Sequence, residues 1–314
     1  MDSRHRPTMR RRLLRLLPLL GGRVTDLSPG TVLVSRSSRT RVRPLMPGAF
    51  LVESGRRARR AGIEVVTPNE DTALVTRPQR RWNPTMTGER EVIQALLRSV
   101  LMAHFHRYGV NCLIDVGANR GQYAQRLRRA GYQGRIVSFE PVPAEHALLQ
   151  RAAQNDPEWF VHQLALGSAD GTLDMHVVPG TLSSLLPSTE FGRRRFPKLH
   201  ETHQESVPVR RLDDLLDQAL AGLPDPRPFL KMDTQGFDVE VFRGLGDRAR
   251  EFVGLQSEVA LMQLYEGMPR LAEALAVYEA AGFEISGMYP VNRENRTGRV
   301  LEFDCLMVRA DALR

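Results

Sequence analysis

Two carboxylates that follow short apolar runs are the residues of this sequence best suited to chemistry. Asp115 lies in the run Cys112–Val116, which leads into a turn bounded by Gly117 and Gly121, and Glu140 ends the next apolar run. Glycine has no β-carbon, so the backbone of this turn can approach a ligand closely. Open α/β sheets bind ligands at the carboxyl ends of their strands. The spacing therefore predicts a cofactor site formed by these two strand ends.

The two acids favour S-adenosylmethionine over a dinucleotide. The Asp115 carboxylate can face the ammonium and sulfonium groups of that cofactor, directly or through water, whereas it would repel a pyrophosphate. The turn also lacks the full G-x-G-x-x-G pattern. Glu140 can accept both ribose hydroxyls of an adenosine. The alternative without a ligand is a tight strand–helix turn with Asp115 as a local cap and a solvated Glu140.

A third polar motif follows the apolar run Phe229–Met232. Lys231 and Asp233 are two residues apart, so their side chains leave the same face of a strand. If the methyl group of that cofactor goes to an alcohol, the hydroxyl must be positioned and its proton removed. Asp233 is the first candidate for the base or the orienting group. Lys231 would stabilise a developing oxyanion or pair with Asp233, and an ion pair that only braces the strand end is the structural alternative.

Two further residues are candidates for the acceptor side of the site. Glu258 ends a neighbouring apolar strand, and His203 lies in a polar segment that would cover a substrate, although a solvated loop histidine is the simpler interpretation. No His/Cys cluster has zinc spacing, so the sequence predicts no metal.

The elements that must position these residues alternate regularly. From Asn111 onward, apolar strands alternate with helices, which predicts an α/β fold with a mostly parallel, doubly wound sheet covered on both faces. The last two strands, Phe283–Met288 and Leu301–Val308, have no helix between them. They predict a C-terminal antiparallel hairpin at one sheet edge, as in the Rossmann-like class I methyltransferase fold. A dinucleotide-binding sheet would normally carry another crossover helix there.

Several motifs, in order along residues 85–308, resemble the FkbM family of methyltransferases. They are Asp115-Val-Gly-Ala-Asn-Arg-Gly121, Phe139-Glu-Pro-Val-Pro143, Leu164-Ala-Leu-Gly167, Ser183-Ser-Leu185, Arg211-Leu-Asp-Asp214, Leu230-Lys-Met-Asp-Thr-Gln-Gly236 and Gln256-Ser-Glu-Val259. The resemblance implies S-adenosylmethionine as the cofactor and O-methylation of a hydroxyl on a polyketide, sugar or glycolipid.

The resemblance also extends the expected site. Ala118 and Asn119 join the cofactor turn, and Ala165 and Leu166 are expected at the end of the third strand, along the adenine. Ser183 and Ser184 would bind the cofactor carboxylate or the substrate, or cap the next segment. The family often has glutamate at the positions of Gln235 and Asp238, and these departures speak against a carboxylate-rich metal site.

The N-terminal part of the chain falls outside the resemblance. The sequence predicts a disordered or amphipathic basic segment over residues 1–30, a small β-rich extension and linker over 31–84, and the methyltransferase domain over 85–314. Residues 1–100 carry a net charge of +12 and the rest of the chain −4, and the positive charge of this N-terminal third is carried by arginine. It reflects either coding bias or attraction to anionic lipid or a phosphorylated substrate. The arginines are scattered and rarely interleaved with aromatics, so no nucleic-acid partner is expected.

The remaining features bear on the compartment and on the rival functions. Cys112 and Cys305 lie in apolar runs, which indicates buried, reduced thiols, and no apolar run is long enough to cross a membrane. A cytoplasmic enzyme, with peripheral membrane contact through the arginine-rich N-terminus, is the expectation. Three rivals stay open: an NAD-dependent oxidoreductase, a nucleic-acid methyltransferase that uses the basic region, and a non-catalytic nucleotide-binding module.

Overall fold

The computed structural model describes residues 23–28, 31–35, 41–46, 49–53, 64–69, 72–76, 87–294 and 296–312. The chain divides into two compact units, residues 1–95 and 96–314. Residues 1–22, which contain the predicted amphipathic piece, lie outside the described residues.

Six strands of the first unit pair as three antiparallel hairpins. The pairs are β1 (Arg23–Ser28) with β2 (Thr31–Ser35), β3 (Arg41–Met46) with β4 (Ala49–Glu53), and β5 (Glu64–Asn69) with β6 (Thr72–Thr76). The sequence predicts a β run at β2, β4, β5 and β6 but not at β1 or β3. In β3 the arginines at positions 41 and 43 interrupt the apolar pattern, so the hydrophobic periodicity does not predict this strand.

The second unit is built on a seven-stranded sheet. Its strands are β7 (Cys112–Val116), β8 (Arg135–Phe139), β9 (Trp159–His162), β13 (Pro228–Met232), β14 (Gly254–Ala260), β15 (Glu284–Arg293) and β16 (Val300–Val308). They follow the order β15-β16-β14-β13-β7-β8-β9. β16 runs antiparallel to both of its neighbours, β14 and β15, and it forms the C-terminal hairpin with β15. This topology confirms the predicted class I methyltransferase fold.

Helices lie on both faces of the sheet, and most of them connect parallel strands. They are α1 (Thr87–Tyr108), α2 (Gln122–Arg129), α3 (Pro143–Ala153), α4 (Glu190–Arg195), α5 (Leu212–Leu220), α6 (Asp238–Arg243) and α7 (Leu271–Ala280). Successive residues of a strand point to opposite faces, so Ile114 packs in one hydrophobic cluster and Leu113 in the other. Cys112 and Cys305 are free and fully buried. None of the helices described is long and apolar enough to span a membrane.

A small second sheet lies between β9 and β13 in the chain. It consists of β10 (Ala165–Leu166), β11 (Gly171–Val177) and β12 (His203–Arg210), with β12 in the middle. Two expectations are corrected here. Ala165 and Leu166 do not end the third strand, because β9 stops at His162 and they pair with β12 instead. His203 is not in a loop but begins β12, where its exposed ring bonds to Glu205 at 2.8 Å.

Candidate active site

A cleft at the carboxyl ends of β7, β8 and β13 contains most of the residues predicted to bind a cofactor. Its volume is about 880 Å³, including the part open to solvent, which is the size of a typical small-molecule site. The predicted cofactor residues in its wall are Gly117, Ala118, Asn119, Glu140, Ala165 and Leu166. Lys231 and Asp233 line the same cleft, whereas Asp115, Gly121, Glu258 and His203 do not.

Glu140 is held at the end of β8 by two backbone donors. Asn119 N donates to Oε2 at 2.8 Å, and Val142 N donates to Oε1 at 2.9 Å. Each carboxylate oxygen keeps a further lone pair for a ligand. Burial raises the pKa of Glu140 to about 7, although these two backbone donors oppose the rise. Glu140 is therefore a rigid, buried acceptor pair that titrates close to neutral pH.

Gly117 brings two strand ends into contact. Its φ is +73°, and a β-carbon at this position would lie 2.1 Å from the Asp233 carbonyl oxygen. Asp233 N in turn donates to Val116 O at 3.1 Å. The turn after β7 and the strand end of β13 can approach this closely only because residue 117 has no side chain.

We expect Gly117→Ala to disrupt the cleft. The added methyl group collides with backbone rather than with a movable side chain, and the left-handed conformation alone costs about 1–2 kcal/mol for a non-glycine residue. Thermal unfolding and titration with S-adenosylmethionine would measure the loss. Gly171→Ala is the control, because no atom lies within 4 Å of a β-carbon there. A Gly117→Ala protein as stable as this control would contradict the prediction.

Gly121 serves packing rather than ligand approach. A β-carbon on it would lie 2.8 Å from the Trp159 ring and 3.0 Å from Leu149. Trp159 Nε1 donates to Ser138 Oγ at 3.0 Å, which fixes the ring under the turn. Gly121 thus lets α2 begin close to the sheet.

Asp115 is fully buried beneath the cleft, where its partner is Lys231. Lys231 Nζ lies 3.0 Å from Asp115 Oδ1, and 3.8 Å from Asp233 Oδ2. The two residues are register partners on β7 and β13, which explains the shorter contact. Burial opposes the charge on Lys231, but the Asp115 and Asp233 carboxylates outweigh it and raise the pKa of the ammonium. The ammonium of Lys231 therefore stays charged, and its contact with Asp115 holds the two central strand ends together.

Asp233 and Glu258 are brought together by an amide that the sequence analysis did not select. Gln235 Nε2 donates to Asp233 Oδ1 and to Glu258 Oε2, both at 3.0 Å. Gln235 Oε1 accepts from Tyr265 Oη at 3.2 Å, which orients the amide. Burial, with the neighbouring Glu302 and Asp233 carboxylates, raises the pKa of Glu258 well above its ordinary value. Asp233 is about half exposed at the cleft, so a substrate can reach it.

The two predicted serines lie on the segment between β11 and α4. Ser183 lines the cleft and bonds to the Val178 backbone, and Ser184 Oγ donates to Gln235 O at 2.8 Å. Gly180 O accepts from Asn119 Nδ2 at 2.8 Å. This segment is thereby tied to the cofactor turn and to the Gln235 loop.

The donors and acceptors of the cleft fit S-adenosylmethionine. Glu140 offers two carboxylate oxygens that can accept from a pair of hydroxyls, and the apolar wall next to it, formed by Phe139, Val142, Leu164 and Leu166, suits an adenine ring. Because the Gly117 turn has no side chain, a ligand can lie against its backbone. Gln122, Tyr123 and Arg126 of α2 form the wall beyond the turn. Sequence reasoning missed these three residues, although their spacing on one helix face was a usable signal.

The chain is similar to a known protein family and to known proteins. The family model for the methyltransferase FkbM domain matches residues 115–285, more than half of the chain. Methyltransferase 1 of Beauveria bassiana (strain ARSEF 2860) is 27% identical over 188 residues, which is 55% of this chain and 72% of that protein. Methyltransferase sdnD of Sordaria araneosa is 27% identical over 198 residues, covering 55% and 74%.

A solved structure of fibrillarin from Aeropyrum pernix with bound S-adenosyl-L-methionine also matches. It is 13% identical, has a TM-score of 0.39, and the match covers 91% of this chain and 98% of that one. The family match decides the assignment. The chain belongs to the FkbM family of S-adenosylmethionine-dependent methyltransferases.

Proposed function

We propose that the protein transfers a methyl group from S-adenosylmethionine to a hydroxyl oxygen of a sugar, glycolipid or polyketide-type metabolite. The observation that carries the proposal is the arrangement of Asp233, Gln235 and Glu258 beside the cofactor cleft. Carboxylate and amide groups together accept from and donate to hydroxyls, which suits a polyhydroxylated acceptor.

Asp233 is the proposed base and orienting group. When bound, S-adenosylmethionine supplies an electrophilic methyl group, and the acceptor hydroxyl must lose its proton during or after transfer. Asp233 is exposed to the cleft, and Gln235 holds one of its oxygens at 3.0 Å, which leaves the other to receive that proton. The raised pKa of Glu258 disfavours the ionised form that a base needs, and Glu258 lies outside the cleft wall, so we assign it to orienting the Gln235 amide.

Lys231 is proposed to act through position rather than through contact with the acceptor. Its ammonium is buried and already lies near Asp115 Oδ1, Asp233 Oδ2 and Gly117 O. It therefore holds the Asp233 loop against the cofactor turn.

We expect Asp233→Asn to lower methyl transfer about 100-fold or more while S-adenosylmethionine binding changes little. General-base catalysis contributes roughly 10²–10⁴-fold, and asparagine keeps the shape without the basicity. The experiment screens hydroxylated sugars, glycolipids and polyketides for methyl transfer by wild type, and compares each substrate with its deoxy analogue. Asp174→Asn, on β11 outside the cleft wall, is the control. Equal rates of methyl transfer by wild type and Asp233→Asn would show that Asp233 is not the base.

The same screen tests the proposed acceptor. Transfer to RNA that weakens steeply with salt would favour the nucleic-acid rival, because such binding releases counterions. Cofactor binding without transfer to any acceptor class would favour a binding module.

A further inference from the structure

We infer that Gln122 and Arg126 bind the amino-acid end of S-adenosylmethionine, an inference that rests on the cofactor assignment above. Gln122 Oε1 would accept from the α-ammonium group, and the Arg126 guanidinium would donate to the α-carboxylate. The two residues are four apart on α2, so they share one helix face, and both line the cleft. No motif identified in the sequence includes either residue.

A chain of hydrogen bonds fixes the orientation of the Gln122 amide. Gly180 O can only accept, so Asn119 must present Nδ2 to it, at 2.8 Å. Asn119 Oδ1 then has to accept, and Gln122 Nε2 donates to it at 2.9 Å. The backbone carbonyl at one end thus dictates that Gln122 Oε1 is the atom left over at the other end.

That remaining oxygen lacks a donor. Gln122 Oε1 is buried and has no hydrogen-bond partner in the part of the chain described. Buried acceptors in folded proteins are nearly always satisfied, and one that is not calls for a ligand or water. Because Gln122 lines the cleft, the missing donor would come from a molecule bound there.

The position of Asn119 indicates which part of the cofactor supplies this donor. Asn119 N donates to Glu140, the acid expected to bind the ribose, while its side chain holds Gln122. The ribose site and the Gln122 amide are therefore joined through one residue. In S-adenosylmethionine the group beyond the ribose that carries donors is the α-ammonium, and it is attached directly to the carbon that bears the carboxylate.

Arg126 offers a complementary positive charge. Among the residues described, its guanidinium has no carboxylate at ion-pair distance and no hydrogen-bond acceptor. Burial, together with the guanidinium groups of Arg126 and Arg129, lowers the pKa of Arg98. At Arg126 the wall of the cleft thus has a positive charge that no carboxylate of the described residues neutralises. The free acceptor of Gln122 matches the ammonium group of an α-amino acid, and the cation of Arg126 matches its carboxylate.

The test is calorimetric titration with three ligands that share the adenosine. S-adenosylmethionine carries both groups, its decarboxylated analogue keeps the ammonium, and 5′-methylthioadenosine lacks the whole amino-acid chain together with the sulfonium charge. We expect wild type to bind S-adenosylmethionine about tenfold or more tightly than the decarboxylated analogue, since one charge-assisted bond is worth at least that factor. Arg126→Met should lower this preference to about twofold or less. Gln122→Met should weaken both ammonium-bearing ligands by about the same factor.

Methylthioadenosine affinity serves as the internal measure of an intact adenosine site. It should be unchanged in both variants, and Arg129→Met, on the exposed side of α2, should leave all three affinities unchanged. The inference would be overturned if Arg126→Met kept the full preference for the carboxylate, or if Gln122→Met left the affinities unchanged. Either result would leave the cofactor site itself intact. Failure of wild type to bind methylthioadenosine and S-adenosylmethionine would overturn the cofactor site itself.

Discussion

Glu140→Gln should weaken S-adenosylmethionine binding about 100-fold. Glutamine removes the charge and places an NH₂ group against either the Asn119 or the Val142 backbone donor, so the side chain can no longer accept on both sides. Two hydrogen bonds from ribose hydroxyls to a charged acceptor are weakened together, and about 3 kcal/mol corresponds to roughly a hundredfold. Calorimetric titration with S-adenosylmethionine and S-adenosylhomocysteine measures the effect. NAD should bind neither the wild type nor the Glu140→Gln variant.

The pH dependence of binding provides an independent readout of the same residue. The folded pKa of Glu140 is raised to about 7, so the ionised acceptor is fully present above that pH and is lost as the pH falls through it. If only the ionised form binds, affinity should fall about tenfold between pH 8 and pH 6. Glu140→Gln should lose this dependence.

The control for Glu140 is an acid outside the cleft. Glu158 pairs with Arg135, and Glu158→Gln should leave both the affinity and its pH profile as in wild type. Near-wild-type affinity in Glu140→Gln would show that ribose recognition lies elsewhere in the cleft. A wild-type affinity that is flat between pH 6 and pH 8 would show that protonation of Glu140 does not control binding.

Lys231→Met should lower the free energy of unfolding by about 3–5 kcal/mol. The substitution leaves Asp115 as a charge in a fully buried position, and removing one partner of a buried ion pair has roughly this cost. The Gly117 carbonyl also loses its contact with the ammonium at 3.3 Å. Urea unfolding followed by circular dichroism measures the change.

The double variant Asp115→Asn/Lys231→Met separates charge from shape. It removes both charges, so its loss should be clearly smaller than that of Lys231→Met alone. Lys198 is the matched control, because it is the one other lysine of the chain and is exposed, so Lys198→Met should change stability by no more than about 0.5 kcal/mol. If the double variant were no more stable than Lys231→Met, the pair would not be the source of the loss.

The sequence predicted the strand ends of the cleft well because their signals are local. Asp115 and Glu140 each follow an apolar run, and parallel strands place such residues at one edge. The partner of Lys231 was harder to predict. Spacing along the strand points to Asp233, but the shorter contact is with Asp115, and it depends on a register between strands more than a hundred residues apart.

The parts that escaped prediction depend on contacts distant in the chain. Ala165 and Leu166 are not part of the third strand because they pair with β12, which lies more than forty residues later in the chain. Gln235 reaches Glu258 and Tyr265 only once β13, β14 and the following loop are assembled. Periodicity reports on one element at a time and contains no information on such pairings.

The position of β16 has a consequence for biosynthesis. β16 is the last strand of the sheet to be made, yet it lies between β14 and β15, and β15 pairs with no other strand of this sheet. During translation β14 therefore presents an open strand edge until residues 300–308 leave the ribosome. Open edges recruit strands of other chains. The final strand ends this exposed stage by inserting between β14 and β15 and closing the sheet from within.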